Sequence, residues 1–150
     1  MAKLFVTDKE INFFNSINKE LIQRIVGQEI TYFHVSVEKS VVNDLYNESI
    51  DKVVYSPVVI NALVLYNPPE QTSTNFSMDT IYSIEVYIHN YELEERNIIP
   101  REGDFVKFGE VMYEAIKITK PQLTFGQIDN KVMYKLVCNI ARESNFKIET

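Results

Sequence analysis

The sequence predicts a mainly β protein with some α character: an antiparallel β-barrel or sandwich of five to six strands behind one N-terminal helix, with long loops between strands. Three observations point there. A single stretch near the start has helical apolar spacing. Most of the chain beyond that stretch is rich in β-branched and aromatic residues, with alternating or continuous apolar runs. The connections carry hairpin and turn residues rather than the long helical crossovers that a parallel sheet needs. At 150 residues and 45% hydrophobic content, the chain can bury a real core and is expected to form one domain: a helix over about 8–26, a barrel core over about 29–142, and a short C-terminal tail.

The helix is predicted from its start signal and its period. Thr7 followed by Glu10 forms a capping box, and Ile11, Phe14, Ile17, Leu21 and Ile25 recur at steps of three and four before Gly27 ends the run. Phe13, Ile22 and Val26 widen the apolar stripe beyond one packed face, so the helix is expected to meet the core on one side and a neighbour on the other. Ile30 to Val37 then reads as a strand. The segment from Ser40 to Lys52 is polar and predicts a loop or one helical turn around Leu45 and Tyr46.

Val58 to Tyr66 is apolar at both parities, which predicts a strand covered on both faces. Pro68 and Pro69 stop it, and Asn67 to Asp79 reads as a long projecting loop with almost nothing to bury. Ile81 to Tyr91 alternates, with Tyr82, Ile84, Val86 and Ile88 expected inward and Ser83, Glu85, Tyr87 and His89 outward. One helical turn over Glu92 to Arg96 leads to a turn at Arg101-Glu102-Gly103-Asp104, where Gly103 supplies positive φ. Strands from Asp104 to Phe108 and from Val111 to Thr119 flank Gly109, and after a loop over Lys120 to Asn130 a last strand spans Lys131 to Ala141.

The chemistry-bearing residues favour no reaction. There is no glycine-rich phosphate loop, no HExxH and no nucleophile elbow, and the lone Cys138 cannot make an intrachain disulfide or a cysteine metal site. His34 and His89 lack metal-like spacing, and Glu92, Glu94 and Glu95 read as a solvated turn. No catalytic residue, metal ligand or cofactor is expected. No run reaches the roughly 18 apolar residues of a membrane span and no signal peptide opens the chain, so a soluble protein made in the cytoplasm, without a membrane partner, is expected. A net charge of −6 argues against tight phosphate binding. Nine Tyr and nine Phe without a Trp supply the flat amphipathic side chains that enrich interface cores.

Taken in order, ITYFHVSVEKS, DLYNES, FSMDTIYSIEVYI, PREGDFVKF, YEAIKITKPQLTFGQ and KVMYKLV resemble the smaller neck protein, a head-completion or head-closure protein, of T4-type tailed bacteriophages. The likeness spans about residues 28–142 and rests on the order and spacing of turn motifs. Asp44, Leu45, Tyr46 and Glu48 match one family motif, with Asn47 where the family tends to have glycine. Pro100, Glu102, Gly103 and Asp104 match the next, and Glu114, Pro121, Phe125, Gly126 and Gln127 a third. The resemblance implies a virion neck protein that forms a homo-oligomeric, hexameric ring. Portal or adaptor protein would sit above it and tail-terminator protein below, and packaged double-stranded DNA would pass through or be retained without tight binding. The loop residues Glu70, Gln71, Thr72, Ser73, Thr74, Asn75 and Phe76 are the candidate channel or inter-ring contact. Another tail-tube, tail-terminator or baseplate module would share most of these features; a small-ligand-binding barrel is the remaining class.

Overall fold

The computed structural model describes residues 7–43, 48–73, 75–119, 132–141 and 146–148, with side chains described outside 37–43, 48–52 and 146–148. It is mainly β, with the expected N-terminal helix. Helix α1 (Asp8–Glu20) continues into one π-helical turn (Leu21–Val26). Thr7 starts it, its amide donating to Glu10 Oε2 at 2.7 Å. Gly27 ends it in the left-handed region at φ +59°, where a residue without Cβ carries no penalty.

The strands are β1 (Glu29–Phe33), β2 (Val35–Asn43), β3 (Glu48–Val54), β4 (Val58–Asn61), β5 (Leu63–Tyr66), β6 (Glu70–Ser73), β7 (Met78–Ile81) and β8 (Ser83–His89). After helix α2 (Asn90–Glu95) come β9 (Phe105–Phe108), β10 (Val111–Thr119), β11 (Met133–Ile140) and β12 (Phe146–Ile148). Seven of them form one antiparallel sheet in the order β4-β1-β9-β10-β11-β8-β5.

The two ends of that sheet are consecutive in the chain. Ile60 pairs with Ile30 on β1, and four residues later Val64 pairs with Val86 on β8. One continuous segment, kinked at Ala62, therefore laces both edges together and closes the sheet into a barrel, which removes the open edges that invite aggregation. Gln28 holds the corner: its carbonyl accepts from the Ala62 amide at 3.0 Å and its Oε1 from the Val64 amide at 2.9 Å. Counting 58–66 as one strand, the barrel has six. Its inside is filled by side chains from every strand, among them Tyr32, Ile60, Val86, Val106, Tyr113 and Leu136, with Leu93 of α2 over one end. Cys138 is buried in this core, its thiol pushed up to about 12 by burial.

Four expectations are corrected. Ser40 to Lys52 is not a loop: β2 and β3 pair antiparallel, β12 adds in parallel, and only 44–47 lie outside the described residues. Val41, Val42, Val53 and Val54 give this ribbon its β preference, which the interspersed polar residues hid. The 58–66 strand is covered on one face only: Ile60, Ala62 and Val64 are buried, whereas Val59 and Leu65 are about half exposed. Asn67 to Asp79 is not a plain loop, because β6 and β7 form a hairpin with Glu70 opposite Ile81 and Ser73 opposite Met78. Backbone pairing builds it, and all eight of its strand residues are exposed, so its composition gave no burial signal. On β8, Ile84, Val86 and Ile88 do face in, but Tyr82 lies before the strand and is exposed, while His89, at the end, is buried under α2 and α1.

The turn at Gly103 has φ +95°. Gly103→Val forces a β-branched residue into that region, and a loss of at least about 1 kcal/mol is expected. An unchanged melting temperature would remove strain from this turn.

Candidate functional site

The turn before β9 delivers Asp104 to the end of β1. The Asp104 amide donates to the Arg101 carbonyl at 3.2 Å, and its carbonyl accepts from the Ala115 amide at 2.8 Å, which pins the turn to β10. The side chain closes its own turn, Oδ2 accepting from the Arg101 amide at 3.0 Å. The carboxylate reaches much further, however. Oδ1 accepts from the Val35 amide at 3.0 Å, and Oδ2 meets His34 Nδ1 at 3.0 Å and the Tyr32 hydroxyl. Asp104 is 1% exposed, so it is a buried hub tying the end of β1 and the start of β2 to the 101–104 turn. Burial, and after it the Asp104 charge, push the Tyr32 phenol well above its ordinary value, so Tyr32 stays a donor.

Above the hub opens a cleft of about 280 Å³. His34 stacks on Tyr55 with ring centroids 5.9 Å apart and planes 14° from parallel. Val58, Ile98 and Ile99 make the apolar wall and Arg101 stands at the rim. Asn97, with φ +52°, turns the chain from α2 into this wall.

A second polar cluster docks the helix. Glu92, expected on a solvated turn, is buried: Gln23 Nε2 donates to its Oε1 and Arg96 Nη1 to its Oε2 at 2.5 Å. Lys19 Nζ lies 3.5 Å from the centre of the Tyr91 ring. His89 caps α2, its Nδ1 accepting from the Tyr91 amide at 3.1 Å, while its buried Nε2 has no partner among the described residues.

Burial pulls the His89 pKa below its ordinary value, with Lys19 acting in the same direction and Glu92 and Glu94 opposing. The folded protein therefore prefers the neutral ring. Stability carried by His89 is complete above the ordinary value near 6.5 and is lost as pH falls from there through the folded value. His89→Asn keeps a capping acceptor without a titrating ring. Its melting temperature should fall less than that of the wild type between about pH 6.5 and 5. Parallel curves would exclude the effect.

The helix docks by its less apolar face. Ile11 and Ile22 are buried and Asn15 and Val26 half-buried beside them. Phe13, Phe14, Ile17, Leu21 and Ile25 lie about a third of a turn round the helix and are exposed, Ile25 by 76% and Phe13 by 68%. The helix therefore turns its richer apolar stripe outward.

Of the family-motif residues, Gly103 and Asp104 belong to the hub, and Glu48 opens β3. Asp44, Leu45, Tyr46, Pro121, Phe125, Gly126, Gln127 and the loop residue Thr74 lie outside the described residues. Phe76 stands at the hairpin turn, 99% exposed. Sequence reasoning missed Tyr32 and His34 as partners of Asp104 and Gln23 as a partner of Glu92, pairs separated by about seventy positions. The Glu92–Arg96 pair, at i and i+4, was the one legible signal. No protein-family model matches the chain, and no curated protein matches it.

Proposed function

We propose that this chain is a non-enzymatic structural protein of a tailed-phage neck, forming a ring that closes the DNA-filled head, helps retain DNA and offers the tail its attachment site. The observation that carries the assembly part is the exposed apolar stripe of α1. Phe13, Ile17, Leu21 and Ile25 are exposed on a helix already docked by another face, and an apolar patch of this kind marks an interaction surface. The barrel interior is filled by aliphatic and aromatic side chains, so the barrel acts as a rigid scaffold for such surfaces. The phage assignment rests on the resemblance in motif order. The charge of −6 agrees with a ring through which DNA slides, since a basic lining would hold phosphate by counterion release.

The experiment is electron microscopy of virions carrying this chain with an affinity label. A hexameric pore-bearing ring between capsid and tail is expected, because a head-to-tail interface that closes gives a ring. Twelve copies would point to the adaptor layer, density elsewhere in the tail to a tube, terminator or baseplate module, and absence from virions would defeat the reading. Shortening the hairpin within Gln71 to Asn75 supplies a functional arm. Monomer stability should hold, since loop-length changes cost only about 0.6 kcal/mol per doubling, while leaking heads or unjoined tails should appear.

A further inference from the structure

The hairpin and the cleft sit at opposite ends of β8. The chain leaves β7 and enters β8 at Ser83; it leaves β8 at His89 and passes through α2 to residues 97–101, one wall of the cleft. On the other wall Tyr32 pairs with Val58, at that same end of β1 and β4. The seven residues of β8 span about 23 Å, whereas the four residue pairs of the hairpin span about 13 Å. The tip is not seated in its own cleft, since Phe76 is 99% exposed.

The two features nonetheless fit each other. Phe76 is 99% exposed, on a two-stranded hairpin that buries none of its own strand residues, an arrangement only marginally stable in water unless something packs on it. The cleft holds about 280 Å³, and a cavity of about 150 Å³ already accepts a benzene ring. The stacked His34–Tyr55 pair and Val58, Ile98 and Ile99 would line a phenyl group with aromatic and aliphatic surface. Charges match as well: Arg101 stands at the cleft rim, and the hairpin carries Asp79 three positions from Phe76. Between copies that each carry −6, such a pair offsets repulsion locally and fixes register.

We propose that Phe76 of one copy seats in the His34–Tyr55–Arg101 cleft of the next, in a head-to-tail contact between identical chains. The contact is heterologous, so repetition gives a ring when the rotation closes. This rests on the homo-oligomer part of the reading above and names the surfaces that make it.

Disulfide trapping tests the contact. Chains carrying Phe76→Cys are mixed with chains carrying Ile99→Cys, and separately with chains carrying Val111→Cys, an exposed position at the end of β10 remote from the 101–104 turn and the cleft. All three positions are exposed, so neither fold is at risk, and the native Cys138 is buried and does not compete. The mixed Phe76→Cys/Ile99→Cys disulfide should form at least about tenfold faster than the control, from the raised local concentration of a seated tip. Adding Arg101→Glu to the Ile99→Cys chain should reduce that preference. Equal rates for the two pairings up to millimolar protein, as expected if the cleft serves a small ligand or a different protein, overturn the proposal. Electron microscopy decides the neck reading separately: a neck ring with equal trapping rates means a ring built through another face, and preferential trapping without a neck ring leaves the contact standing outside a virion.

Discussion

Asp104→Ala is expected to destabilise the protein by about 3–5 kcal/mol, the range for removing one partner from a buried charged network. The loss comes from what is left behind. The Val35 and Arg101 amides, the Tyr32 hydroxyl and His34 all point at the vacated position, and each buried donor stranded there loses about 1–3 kcal/mol relative to its state in water. Water entering through the cleft recovers part of this near half-buried His34, which keeps the total below the simple sum. At about 2–4 °C per kcal/mol for a chain of this length, the melting temperature should drop by about 10 °C. Asp104→Asn retains one acceptor oxygen and should cost clearly less. Tyr32→Phe placed on Asp104→Ala should be nearly neutral, because the hydroxyl it removes has already lost its acceptor. Thermal melts followed by circular dichroism measure all three, and a loss below about 1 kcal/mol for Asp104→Ala would show that the hub does not hold β1, β2 and the turn together.

Glu92→Ala should cost about 2–3 kcal/mol and loosen one region selectively. Glu92 joins the helical segment to α2, through Gln23 on one oxygen and Arg96 on the other. The figure lies below the usual range for a broken buried pair because Arg96 is 30% exposed and can return to water. Hydrogen exchange should quicken over residues 8–26 while the barrel strands stay protected, since the barrel closes through 58–66 without the helix. Glu92→Leu is the informative partner, as a well-packed apolar side chain of similar size often replaces a buried ion at little loss. Uniform acceleration across the barrel would mean that the helix is part of the same cooperative unit.

The features legible in the chain alone were those that depend on neighbours in sequence. The capping box at Thr7, the stop at Gly27, the alternation through Ile84, Val86 and Ile88 and the positive φ at Gly103 are local, and each is where its period or turn chemistry put it. The mainly β class and the six barrel strands arise from those same local preferences. The tertiary structure alone decided which apolar surface is used. Ile11 and Ile22 pack while the richer stripe of α1 stays outside, because the partner face is chosen by the shape of the barrel and α2 and not by helical period. It also decided that a polar stretch could be a hairpin, since strand pairing satisfies backbone groups without burying a side chain. Most of all, it assembled the hub and the cleft: Tyr32 and His34 meet Asp104 across about seventy residues of chain. No pattern along the sequence records that approach, which is set by the registers of β1, β9 and β10.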